Sequence, residues 1–249
     1  MKSIKSLMVV LTLTMGVFFS SCLSGSDGDN TVTTGSILRY YNTGTFIDSS
    51  GYFYYPTGSS YSISGTIGDM YYVYYQYDSS TVTSTSTGVN ITLLSTPTCI
   101  DGLMVSETEV TSTAALYGIQ YSSYVPALFD KNTLVMPILY WYYPAETTAE
   151  LTAEVRKHTF KLYYVADNIG SNDTTLNLYI THQINETTTL DRTKYTLTYQ
   201  SYDISNAMED FDNITGSTPT KIIIHGKVNT TSDVLSSALD DTYTITLSD

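Results

Sequence analysis

The chain has 249 residues, with 11 Lys and Arg against 24 Asp and Glu and a formal net charge of −13. That balance excludes nucleic-acid binding, which needs cationic side chains to neutralise phosphates, and it excludes docking on anionic lipid through a basic patch. Only 14% of residues are charged while 24 are tyrosine, so the surface must be mostly neutral-polar and the chain is rich in strand formers.

The N-terminus divides cleanly. Lys2 and Lys5 form a positive segment, residues 7–19 are apolar, and Ser20 and Ser21 are small. This is the layout of a secretory signal, too short for a spanning helix. One of the two cysteines, Cys22, follows at once, and Phe19-Ser20-Ser21-Cys22 resembles a bacterial lipobox. The resemblance implies that residues 1–21 are removed and that Cys22 is acylated, with palmitate-type chains anchoring the protein to a membrane. Two or three acyl chains suffice for durable anchoring. A plain signal peptide with a fortuitous cysteine is the competing reading. Without Lys2 and Lys5 the remainder carries 9 basic and 24 acidic residues, a net charge of −15. If Cys22 is acylated, Cys99 has no disulfide partner and reads as a small buried hydrophobe; a Cys22–Cys99 bridge is the alternative. Residues 22–34, with Ser, Gly and Asp over 24–29, read as a flexible acidic tether.

Beyond the tether, short apolar alternations are separated by Gly, Asn, Asp and Ser clusters, the pattern of an all-β extracellular protein. In the first half, residues 36–41 (SILRYY), 51–55 (GYFYY), 69–77 (DMYYVYYQY) and 89–94 (VNITLL) read as strands. They define a small barrel-sized unit over 35–102, and 103–118 reads as a linker. In the second half the strands are 133–143, 155–165, 176–184, 194–202, 221–228 and 242–247. Six strands over 119–249 suit a β-sandwich. Pro137 predicts an edge or a bulge in its strand. Residues 146–154, 205–211 and 232–239 read as short helices.

This order of parts resembles the NigD-like lipoproteins of the Bacteroides group. The residues that carry the likeness are the lipobox and its acidic tether, Gly68-Asp69-Met70-Tyr71-Tyr72-Val73-Tyr74-Tyr75, residues 134–142, and Ser201-Tyr202-Asp203-Ile204-Ser205. The resemblance implies an OB-like barrel followed by an immunoglobulin-like β-sandwich, an outer-membrane and cell-surface location, and a family name drawn from bacteriocin immunity. It implies no catalytic residues.

Alternation puts Tyr71, Val73, Tyr75 and Tyr77 on one face of their strand and Met70, Tyr72, Tyr74 and Gln76 on the other. One face of an OB-type barrel commonly binds oligosaccharides or oligonucleotides. With acidic charge against polyanions, Tyr72 and Tyr74, extended by Tyr54 on a neighbouring strand, form a candidate sugar platform. The plainer reading is a tyrosine-rich sheet packed on one side and wet on the other. His158, His182 and His225 all fall on strands, but their spacing is that of no metal motif, and no metal or other cofactor is expected. Residues 167–173 (DNIGSND) could offer oxygens to calcium, yet read equally as a turn. No nucleophile elbow, P-loop or dinucleotide fingerprint is present, and Glu107/Glu109 and Glu209/Asp210 read as solvated charges. The expectation is a non-enzymatic envelope lipoprotein that binds a glycan or an envelope protein. The alternatives are a glycan-binding accessory protein and an adhesin or pilus-like subunit, which would expose an unpaired donor strand.

Overall fold

The computed structural model describes residues 30–247, apart from 43, 59, 60, 62, 64, 101 and 187–189. Cys22 and the signal segment lie outside the described residues. Among the described residues the protein is all-β with two short α-helices, in two compact units that meet in sequence at residues 102 and 103.

In the first unit, β1 (Thr31–Asn42), β2 (Thr45–Ile47), β3 (Phe53–Pro56), β4 (Met70–Asp78) and β5 (Gly88–Leu93) pair in the order β1-β2-β3-β5-β4. Pairing of β1 with β4 closes the barrel, and β3 runs parallel to β5. This is OB-like topology. β6 (Thr98–Cys99) adds to the flank of β4. Strand β1 begins at Thr31, inside the segment read as a tether. The expected alternation of the tyrosine strand is realised: Tyr71, Val73 and Tyr75 join Leu38, Phe46, Val89, Ile91 and Leu93 in the barrel core. Burying a large side chain contributes roughly 1.5–3 kcal/mol, so these inward rings hold the barrel closed. Cys99 corrects the expectation of a buried thiol: it is exposed, because β6 is a two-residue strand on the barrel's flank.

The strands of the second unit are β7 (Gly102–Met104), β8 (Leu116–Gly118), β9 (Ala127–Asp130), β10 (Thr133–Tyr142), β11 (His158–Tyr163), β12 (Thr175–Ile184), β13 (Lys194–Asp203), β14 (Lys221–Val228) and β15 (Leu239–Thr246). The strands expected as a sandwich hydrogen-bond into one continuous sheet, ordered β11-β12-β14-β8-β10-β13-β7, with β9 on β10 and β15 on β14. The curl nearly closes, since Ser106, just after β7, bridges back to Tyr163 on β11. The enclosed core includes Leu134, Met136 and Ile138 of β10, Leu162 of β11, Leu178 of β12, Tyr202 of β13 and Ile224 of β14. β10 is buried on both faces, which is why its sequence is an unbroken apolar run. Pro137 sits between the β9 pairing, which ends at Val135, and the β8 pairing, which starts at Leu139. The missing N–H falls where the ladder on that flank is interrupted. The segment 103–118, read as a linker, carries β7, the Ser106 bridge and β8.

Helix α1 (Thr148–Val155) begins at a capping box in which Thr147 and Glu150 satisfy each other's backbone N–H. Helix α2 (Ser205–Thr215) ends at Gly216, whose φ of 75° is the left-handed turn glycine tolerates. The strand expected from residue 155 starts at His158, because α1 runs to Val155. The third expected helix, 232–239, is corrected. Only Leu235–Ser237 forms a 3₁₀ turn, and the chain is extended again from Leu239. The cause is Asn229, whose amide NH2 shares its two protons among Ser232 Oγ, Val234 O and Ser237 Oγ at 2.9–3.1 Å, pinning the loop outside helical register.

Candidate functional site

The structure does not bring Tyr72, Tyr74 and Tyr54 onto one surface. Tyr72 and Tyr74 lie half-buried on the outer face of β4. The Tyr72 ring lies across Gly35 of β1, where an added Cβ would stand 2.1 Å from its hydroxyl. Tyr54 packs with the barrel core against Tyr75, ring centroids 5.5 Å apart. Its hydroxyl donates to Asp48 Oδ2 at 3.1 Å, and burial, then the neighbouring Tyr75 and Asp48, push its pKa well up. The parity that puts Tyr72 and Tyr74 outside β4 puts Tyr54 inside β3. On the outer face of β3, Phe53 and Tyr55 stand instead, with the Tyr41 ring edge-on to Phe53.

The second unit holds a cleft of about 360 Å³. Its origin is register. On the adjacent strands β11, β12 and β14, Tyr163 pairs directly with Tyr179, and Tyr179 directly with His225. Their side chains leave the sheet on the side opposite Leu162, Leu178 and Ile224 of the core. Strands lie 4.7–4.9 Å apart, so the three rings stack in a row, at 5.1 Å and 4.8 Å between centroids and within about 20° of parallel. The cleft is lined by this row, by residues 109–112 and by the loop that Asn229 pins, through Leu235, Ser236 and Ala238.

Charges in the cleft are few. Lys227 Nζ meets Asp240 Oδ1 at 2.7 Å, and Glu109 is the remaining charged lining residue. Burial, then the Glu109 carboxylate, raise the Tyr163 hydroxyl's pKa, which stays a donor. Burial lowers His225 below the usual imidazole range. The neutral ring donates Nε2–H to Asn177 Oδ1 at 2.9 Å and so offers its Nδ1 as an acceptor. With Nε2 committed to an amide, His225 is not paired with a nucleophile. Among the described residues that line it, the cleft offers hydrogen-bond donors, acceptors and packing surface.

The other two histidines do meet, away from the cleft. His158 Nδ1 is 2.9 Å from His182 Nε2, His182 Nδ1 is 3.1 Å from the Ala115 carbonyl, and His158 Nε2 is 3.3 Å from Glu154 Oε1. Three such contacts between two terminal acceptors need three protons, and two neutral imidazoles supply two. While both rings are neutral, one of the three contacts lacks a proton. Burial, then His158, push His182 down to about 3, and burial lowers His158 against the pull of Glu154. Burial alone would raise Glu154, but the Tyr143 N–H, Lys157, Arg192 and His158 together hold it below the usual carboxylate range. Both imidazoles and Glu154 are buried, so this network is structural. Among the described residues no three His, Cys, Asp or Glu side chains form a metal-holding group. In the 167–173 loop, Asp173 accepts from the Gly170 N–H at 2.8 Å, as a turn cap does.

The fold is an all-β scaffold of two units, the second of which carries the cleft. No family model matches the chain, and no curated protein matches it. Solved structures do. A putative lipoprotein from Bacteroides fragilis is 27% identical, with a TM-score of 0.76 over 86% of this chain and 97% of that one. A protein of unknown function from Bacteroides vulgatus is 7% identical, with a TM-score of 0.53 over 87% of this chain and 91% of that one. A NigD-like immunity protein from Bacteroides caccae is 10% identical, with a TM-score of 0.49 over 86% of this chain and 96% of that one.

Proposed function

We propose that the protein is a non-catalytic lipoprotein of the bacterial outer membrane, acylated at Cys22 and facing outward, which binds a ligand in the cleft of its second unit. The observation that carries the binding reading is the in-register row Tyr163–Tyr179–His225 beside a cleft of about 360 Å³. It is a concave site with a few convergent polar groups, and its one imidazole is occupied by Asn177. The lipobox supports the anchor, as does the 27%-identical lipoprotein-like neighbour. The pilus-type alternative has no comparable support, because β15 is paired with β14 along its whole length.

Fractionation of cells producing the full chain tests the anchor. The wild type sediments with the outer membrane, is released by detergent and is cut by protease added to intact cells. Cys22→Ser leaves the membrane fraction. Wild type that is equally soluble with and without detergent contradicts the proposal.

A further inference from the structure

We infer that the cleft of the second unit takes an uncharged saccharide, with Tyr179 at its centre and Glu109 as the principal acceptor for sugar hydroxyls; this rests on the ligand-binding reading above.

Charge removes the anions first. Lys227 is tied to Asp240 at 2.7 Å, so a phosphate, sulfate or uronate entering the cleft would meet Glu109 with no uncommitted cation among the lining residues. The rest of the chain adds to that repulsion, with 24 acidic residues against 11 basic. A purely apolar ligand is disfavoured next. It would strip water from the Tyr163 and Tyr179 hydroxyls, Ser112, Ser236 and the Glu109 carboxylate and return no hydrogen bond to any of them, a cost that recurs for each buried polar group.

A polyol meets these same groups productively. Its hydroxyls can donate to Glu109 and to the open Nδ1 of neutral His225. They can accept from the two tyrosine hydroxyls and the serines. Carboxylate acceptors make the stronger bonds, which gives Glu109 its weight. The C–H faces of a sugar ring need apolar surface, and Leu235 and Ala238 supply it beside the aromatic edges. Volume limits the ligand: about 360 Å³ is at the small end of ligand sites and holds roughly one or two hexose units. The recognised element is therefore a short stretch or an end of a glycan.

The site differs from the one that alternation along β4 suggested. The ring stack is set by pairing across three strands, and its loop is set by Asn229.

The test is direct binding to the full chain in detergent. The probes are immobilised neutral oligosaccharides of glucose, mannose, galactose and N-acetylhexosamines, with sulfated and uronate-containing glycans alongside. The inference expects saturable binding to a neutral glycan only. Tyr179→Ala and Glu109→Gln should each weaken it about tenfold or more. Tyr72→Ala on the barrel should leave it unchanged. Tyr179→Phe keeps the packing and removes only the hydroxyl, so an intermediate loss with an unchanged melting temperature supports a direct contact. Binding confined to acidic glycans overturns the ligand class. Neutral-glycan binding lost in Tyr72→Ala and kept in Tyr179→Ala overturns the site and leaves the ligand-binding reading standing. Capture of an envelope protein with no glycan bound overturns the saccharide and keeps a binding lipoprotein. Absence of any binding overturns both.

Discussion

Replacing Glu154 with leucine should destabilise the second unit by about 3 kcal/mol. The residue is only 2% exposed. Its Oε1 accepts from Arg192 Nε at 2.8 Å and from the Tyr143 N–H at 3.1 Å, and its Oε2 lies 3.2 Å from Lys157 Nζ. Leucine fills the volume but leaves the Tyr143 N–H unpaired and the guanidinium short of a counter-ion. Removing one partner of a buried pair costs about 3–5 kcal/mol. Arg192 keeps Glu186 at 2.6 Å and a longer contact to Asp233 at 3.6 Å, which places the loss at the low end. In a unit of this size each kcal/mol moves the melting temperature by about 3 °C, so the expected fall is about 10 °C. The chain's single tryptophan, Trp141, sits on β10, so its fluorescence reports unfolding of that unit alone. Lys227→Met, which breaks an exposed pair, is the control and should cost under about 1 kcal/mol. A Glu154→Leu shift no larger than the control's would show that the network behaves like solvated surface charge, and the account of it would be wrong.

Other outcomes follow from the same contacts. His158 and His182 are both held below the ordinary value of 6.5. Between that value and their folded ones the unfolded chain binds more protons, and stability must fall as pH drops below about 6.5. Glu154, lowered from 4.5, adds a second loss as pH falls below that value. Tryptophan-detected melting from pH 7 to 4 checks the sign, and His182→Gln should reduce the slope between pH 6.5 and 5 by up to about 1.4 kcal/mol per pH unit. Gly88→Ala should cost the barrel more than Gly35→Ala. A Cβ at 88 meets the Phe53 carbonyl at 2.8 Å, whereas one at 35 meets the far end of the Tyr72 side chain; overpacking against backbone costs about 1–3 kcal/mol. Tyrosine circular dichroism on heating compares the two. Asn229→Ala removes the side-chain hydrogen bonds that hold Thr231, Ser232, Val234 and Ser237, and hydrogen exchange should quicken across residues 230–238, beside the cleft, before the core responds.

Much of the fold was legible where a strand was long enough to alternate. The rings of β4 sorted by parity as expected, and β10, β12, β13 and β14 lie where apolar patterning put them. β2, β6, β7, β8 and β9 were not legible, because two to four residues carry no period. Residues 232–239 looked helical on local propensity, and the side chain of Asn229, just upstream, overrode it. The cleft could not be read because its parts come from five separated stretches, and only strand order brings Tyr163, Tyr179 and His225 side by side. The meeting of His158 and His182 was half legible. Both were placed on strands, but the register of Phe160 against His182 that makes them diagonal neighbours is a tertiary fact.

The most direct test of the account is the intact mass of the protein extracted from native membranes. The account predicts a chain that begins at Cys22 and carries the added mass of two or three fatty acyl chains. A chain retaining residues 1–21, or one beginning at Cys22 with an unmodified thiol, would contradict it.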